Sequence, residues 1–176
     1  HQVYAENLGI PSIHIEIPHS DDNLCDFEGY LLDQFQEAVD RLEQMLGRKC
    51  DEEKLVEGVK NDWRCRLAMA RIAELQKVVP APIRLKNLIS FGVFQWRGMT
   101  HRSDIADFYE LALDEVKQRV ADGIAGCGFE KWRLTHEGTP PWYKNSVFSY
   151  PERHGAPYTG SWTHFTNFGC FNITND

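Results

Sequence analysis

The sequence predicts an α/β protein in which a mostly helical block separates two α/β pieces. Three observations carry this. Pro11-Ser12-Ile13-His14-Ile15-Glu16-Ile17-Pro18 alternates apolar and polar residues, the period-two pattern of a strand. Long stretches between residues 26 and 120 repeat their apolar residues at three-and-four spacing, the pattern of amphipathic helices. Residues 131 to 161 then read as strand, helix, strand, the unit of a parallel sheet.

The elements follow in order. His1 to Leu8 read as the last turns of a helix stopped by Gly9, so the chain is expected to be part of a longer polypeptide. The strand of residues 11 to 18 comes next, and His19 to Asn23 form a polar loop. Residues 26 to 46 give the clearest helix, with Phe27, Tyr30, Leu31, Phe35, Ala38, Val39, Leu42, Met45 and Leu46 on one stripe and Gly47 at its end. Asp51 is placed to cap a second helix, with Glu52 and Glu53 favourable at its positive end. Its expected buried face is Leu55, Val59, Trp63, Leu67 and Ala70, and it stops near Val79 before Pro80-Ala81-Pro82. A shorter helix is expected from Leu85 to Phe94. After a loop, Ser103 or Asp104 caps a third long helix with Ile105, Phe108, Tyr109, Ala112, Val116 and Val120 inward. Glycines 123, 126 and 128 break it. A strand at 131 to 136, a helix at 141 to 153 and a strand at 156 to 161 complete the reading.

Composition narrows the function. The 176 residues are 42% hydrophobic and 26% charged, ordinary for a globular protein, and hold one domain or parts of two. A net charge of −7 argues against non-specific nucleic-acid binding, which needs a basic face. No apolar run approaches the roughly 18 residues of a membrane span, and no signal peptide is visible. Cys25, Cys50, Cys65, Cys127 and Cys170 form no C-x-x-C pair, and their odd number suits a reducing cytoplasm better than a disulfide framework. Cys65 sits among helix residues and reads as a structural thiol. Cys127 and Cys170 lie beside glycines in expected loops, where a cluster ligand is the competing reading.

The segment Glu130 to Tyr143 is the most informative. A strand running into a Gly-Pro-Pro turn that opens a helix is where α/β sheets collect ligands, outside the carboxyl ends of their strands. His136 and Glu137 are adjacent, so on an extended strand they point to opposite faces. Glu137 lies nearest the turn and is favoured as the substrate contact; the competing reading is a carboxylate bonding nearby amides. Trp142 and Tyr143 can pack an acyl or aromatic group, or simply core. His101, His154 and His164 lack metal spacing, and His164 is the one placed to relay a proton after a strand end. Arg97 and Arg102 could meet phosphates, although solvated loop arginines are more common.

The order of Leu8-Gly9-Ile10-Pro11, Met45-Leu46-Gly47-Arg48-Lys49, Asp51-Glu52-Glu53-Lys54-Leu55, Pro80-Ala81-Pro82-Ile83 and Arg133-Leu134 to Glu137-Gly138-Thr139-Pro140-Pro141-Trp142-Tyr143 resembles the benzoyl-CoA reductase and 2-hydroxyacyl-CoA dehydratase family over nearly the whole chain. The resemblance implies consecutive Rossmann-like or flavodoxin-like parallel-sheet domains with a helical connecting block. Residues 1–24 would close an N-terminal α/β domain, 25–128 form the block and 129–176 open a C-terminal α/β domain. It also implies an oxygen-sensitive [4Fe-4S] subunit acting on an acyl-CoA beside a homologous second subunit. A separate ATP-hydrolysing iron–sulfur activator would supply low-potential electrons. Reductive dearomatisation of a benzoyl-CoA-type substrate is the favoured reaction, on the aromatic residues of the turn. Dehydration of a 2-hydroxyacyl-CoA, or a non-catalytic partner role, is the alternative. Glu137 and His164 are the expected catalytic residues and Gly138, Pro140, Trp142 and Tyr143 the substrate-binding ones. Cys170 is the expected metal ligand, a position the resemblance does not fix residue by residue; Cys25 matches no family motif.

Overall fold

The computed structural model describes residues 2–17, 27–138 and 141–161, without the side chains of Gln2, Trp142, Asn145 and Ser161. The chain divides into two compact units, residues 1–52 and 53–176.

The first unit holds α1 (Gln2–Leu8) and α2 (Phe27–Leu46). Residues 11–17 form neither helix nor strand, which corrects the expectation from their alternation. Their polar backbone finds a side chain instead of a neighbouring strand. The Gln34 amide donates to the Glu16 carbonyl at 3.0 Å and accepts from the Glu16 amide at 2.7 Å. The α2 stripe is also a correction: no α2 residue is buried among the described residues, and Tyr30, Phe35, Leu42, Met45 and Leu46 are exposed. Periodicity specifies an amphipathic helix, not what covers its apolar side.

The second unit contains α3 (Glu52–Leu75), α4 (Leu85–Trp96), α5 (Ser103–Ala121) and a two-stranded sheet. Its core is built from Cys65, Ala68, Met69 and Ile72 of α3, Leu85, Leu88 and Ile89 of α4, Ile105, Ala106, Tyr109, Leu113 and Val116 of α5, and Phe148. Each large side chain fully removed from water here contributes about 1.5–3 kcal/mol. The buried residues of α3 run from Asn61 onward. Leu55, Val59 and Trp63, expected inward, are exposed, because the core-facing stripe runs through Asn61, Cys65, Ala68, Met69 and Ile72. On α5, Ile105, Tyr109 and Val116 are inward as expected. Phe108 is partly exposed but packs edge-to-face on Phe91 and Phe94, at centroid distances of 5.9 and 5.3 Å.

Polar groups fasten the helices to each other. The Arg64 guanidinium on α3 meets both carboxylate oxygens of Glu110 at 2.8 and 2.7 Å and Asp107 at 2.7 Å on α5. These groups are substantially exposed, so the pairs set orientation more than stability. The buried Asn61 side chain donates to the His101 carbonyl at 3.1 Å.

α3 ends at Leu75, four residues short of the expected Val79, because residues 76–79 turn before Pro80. α5 ends with Gly123 at φ +66°, where the Gly123 and Ile124 amides reach back to the carbonyls of Val120 and Arg119 at 3.1 and 2.8 Å. That closure favours glycine. Gly126 is required for a different reason. Its amide donates to the Ala81 carbonyl at 2.7 Å, and a Cβ there would lie 2.6 Å from the Ile83 carbonyl carbon.

The sheet pairs β1 (Leu134–His136) with β2 (Tyr158–Ser161) in parallel, as the strand-helix-strand pattern predicts. Between them run a 3-10 stretch (Trp142–Phe148), kinked at Lys144, and the short α6 (Ser149–Arg153), in place of the single helix expected at 141 to 153. The described residues are thus α-rich with one small parallel sheet.

Gly126→Ala should lower the urea midpoint by the equivalent of about 1–3 kcal/mol; an unchanged midpoint would show that the 80–84 segment can move aside. Burial pushes the Cys65 thiol up to about 11 from the ordinary 9.0. The unfolded thiol therefore ionises first, and stability contributed by Cys65 is intact below pH 9 and lost as pH rises from 9 to 11. At pH 8 iodoacetamide should label the exposed Cys50 and spare Cys65, read by peptide mass spectrometry.

Candidate functional site

The strands of a parallel pair end on the same side. His136 pairs in register with Ser161, so both carboxyl ends meet at one edge. One extra residue is accommodated between Leu134↔Tyr158 and Thr135↔Gly160. Before β1, the Lys131 and Trp132 amides share the Gly155 carbonyl at 2.6 and 2.9 Å, and the Leu134 amide donates to the Pro157 carbonyl at 3.0 Å. These bonds set the two chain segments side by side before the site begins.

Strand parity then sorts the side chains. Leu134 and His136 are half-buried, while Thr135 and Glu137 are exposed. The His136 ring stands edge-on to Phe148 (centroids 5.0 Å, interplanar angle 90°) and faces Tyr158 at 6.4 Å. Phe148 and Tyr158 contact each other at 5.5 Å and 88°. Burial lowers the His136 imidazole from its usual range, which favours the neutral ring near pH 7. Burial, reinforced by Glu152, raises the Tyr158 hydroxyl and keeps it protonated.

Of the residues predicted for the site, Glu137 and Gly138 lie directly after β1 and are exposed, Gly138 turning with φ +90°. Tyr143 is 93% exposed, so its ring does not line a pocket among the described residues. Trp142 begins the 3-10 stretch. Pro140, His164, Cys25 and Cys170 lie outside the described residues. The structure thus assembles rings around His136, which ranked below Glu137 on sequence. The available signal was the half-buried alternation Leu134-Thr135-His136. Of the phosphate candidates, Arg102 is paired with Asp104 at 2.7 Å and Arg97 is exposed.

Behind the site lies a pair that sequence could not suggest. Glu152 of α6 is 3% exposed, and its Oε2 accepts from the Arg84 Nε and Nη2 at 2.6 and 2.5 Å. Its Oε1 is buried with no hydrogen-bond partner among the described residues. The two residues are 68 positions apart, with no local pattern linking them.

Whether these residues suit an iron–sulfur cluster can be judged from the thiols. Cluster ligands are thiolates. Cys65 is packed in the core and donates to the Thr100 carbonyl at 3.6 Å, and burial raises it away from thiolate. Cys127 donates to the Phe129 carbonyl at 3.1 Å and is also raised, by burial first and then by Glu130 and Glu152. No group of three or more His, Cys, Asp or Glu among the described residues could hold a metal ion. These thiols do not fit a cluster.

The described residues thus make an α-rich piece with a small parallel strand pair, consistent with an α/β class. The model of the family described as 2-hydroxyglutaryl-CoA dehydratase, D-component, matches residues 1–168, and the chain belongs to that family. It is similar to the α subunit of (R)-2-hydroxyglutaryl-CoA dehydratase from Acidaminococcus fermentans, 28% identical over 162 residues, covering 89% of this chain and 33% of the relative. The α subunit of (R)-phenyllactyl-CoA dehydratase from Clostridium sporogenes is 32% identical over 144 residues, covering 78% and 34%. A benzoyl-CoA reductase subunit from Thauera aromatica is 29% identical over 147 residues, covering 75% and 33%. The chain spans about a third of the length of these relatives.

Arg84→Ala strands the buried Glu152 carboxylate and should cost about 2 kcal/mol in urea denaturation, reduced from a fully buried pair because the guanidinium is partly exposed. The Arg84→Met, Glu152→Met double variant should cost less than the single one. A larger loss in the double variant would show that the pair itself stabilises the fold.

Proposed function

We propose that this chain is part of a subunit of an iron–sulfur enzyme acting on an acyl-CoA thioester. The observation that carries the reading is the family match over residues 1–168, with relatives whose names are those of acyl-CoA dehydratase and reductase subunits. The matched family and the dehydratase relatives support dehydration of a 2-hydroxyacyl-CoA. The similarity to the benzoyl-CoA reductase subunit supports reductive dearomatisation, the reaction favoured on the aromatic turn. The exposure of Tyr143 takes some weight from that aromatic argument. In both readings the chain works beside a homologous subunit in the cytoplasm, with electrons from an ATP-hydrolysing activator. Consecutive Rossmann-like domains, with boundaries near residues 25 and 128, belong to the same proposal.

The site sits at the carboxyl edge of β1 and β2. Glu137, Gly138, Pro140, Trp142 and Tyr143 would contact the acyl group, with His164 as a proton relay. Cys170 is the proposed thiolate toward a [4Fe-4S] cluster; burial holds Cys65 and Cys127 away from the thiolate form.

The test is to purify the complex containing this chain without oxygen, measure iron and acid-labile sulfide, and assay 2-hydroxyacyl-CoA and benzoyl-CoA with the activator and ATP. About four irons per subunit and turnover of one class are expected; absence of iron would remove the cluster reading. Glu137→Gln should lower kcat/KM about 10²-fold as lost acid–base or polar contact. Unchanged turnover would remove Glu137 from the site.

A further inference from the structure

We propose that His136 is the proton-transfer residue of the acyl-CoA site, a role that rests on the acyl-CoA reading above. In the dehydration of a 2-hydroxyacyl group its imidazole takes the proton lost from a C–H of the acyl chain. The C–H electron pair stays on the acyl group and becomes the new C=C bond as the hydroxyl departs, and the imidazolium gives the proton to that hydroxyl, which leaves as water.

Position and surroundings carry the inference. His136 is the last residue of β1, at the edge where parallel strands present ligands, and it pairs in register with the last residue of β2. Its ring is half-buried between the edge-on rings of Phe148 and Tyr158. Phe148 belongs to the hydrophobic core and Tyr158 packs against that core, so the cage is anchored, not draped on the surface. A base held by packing keeps its geometry while the proton moves. The cage also keeps the ring neutral at working pH, the state a general base needs.

Titratable and charged groups stand on each neighbouring element. On β2, Tyr158 stays protonated. On α6, Glu152 is bound to Arg84, and Arg153 is exposed. Lys144 of the 3-10 stretch and Lys86 of α4 are exposed. Glu137, next along the chain, lies on the opposite parity of the strand. The cause that shifts the imidazole is burial.

The test uses the anaerobic wild-type complex. Carbethoxylation by diethylpyrocarbonate is mapped by peptide mass spectrometry with and without acyl-CoA, at concentrations where equilibrium dialysis shows saturation. The His136 rate should fall at least about tenfold on saturation, while the exposed His101 and His154 are unaffected. Binding with an unchanged His136 rate overturns the inference and leaves the acyl-CoA reading standing; failure of every acyl-CoA to bind overturns both. A second readout is the pH profile of kcat/KM. The wild type should lose activity on an acid limb that lies below the ordinary imidazole range. His136→Gln should be slowed about 10²-fold or more and lack that limb. An acid limb that persists in His136→Gln overturns the inference.

Discussion

The segment from Gln76 to Arg84 is the constraint on which the second unit depends. It contains two prolines, so it cannot continue α3, and its remaining backbone groups are partly buried and must be bonded. The bonds come from the segment itself and from several distant parts of the chain. The Gln76 amide, fully buried, exchanges two hydrogen bonds with the Ile83 backbone, at 2.9 and 3.1 Å. Arg133 donates to the carbonyls of Lys77 at 2.8 Å, Gln76 at 3.2 Å and Val78, and to Glu130 at 2.5 Å. Glu130 in turn accepts the Ala81 amide at 2.8 Å. Arg119 of α5 holds the Pro82 carbonyl at 2.9 Å, and Gly126 takes that of Ala81 at 2.7 Å.

The consequence is mechanical. Arg133 immediately precedes β1, so the residue that satisfies the carbonyls after α3 also fixes where the strand starts. Arg84, at the end of the same segment, reaches Glu152 and so fixes α6, which precedes β2. Helix packing on one side and the carboxyl edge of the sheet on the other therefore share one fastening. An arginine–carboxylate pair with its carboxylate buried is a poor source of stability because desolvation offsets its attraction. Here its evident effect is placement: it sets the two strand approaches relative to the helices.

Around His136 the same economy holds. Apolar rings on two sides already disfavour the imidazolium, so burial suffices to keep the ring neutral. Glu137, one residue on, faces water and keeps none of that shielding. Two adjacent titratable residues thus receive different environments from strand geometry alone. Cys65 and Cys127 show the parallel case for thiols, where burial raises both away from the thiolate that a metal would require.

Local pattern in the sequence determined much of the architecture. The boundaries of α2, α4 and α5, the glycine stop after α5 and the parallel strand–helical–strand order near residues 134 to 161 follow from periodicity, end signals and turn chemistry, all properties of neighbours in the chain. Even the separation of His136 from Glu137 was legible, as strand parity. Tertiary structure decided which apolar faces are covered. Leu55, Val59 and Trp63 have the spacing of a core stripe and stand exposed, while Asn61 and Cys65 are inside. It also decided that the Glu16 backbone bonds a glutamine side chain instead of a strand, and that Arg84 finds Glu152. Periodicity records that a face is apolar, whereas burial depends on which surface arrives opposite it, and that partner is distant in the sequence.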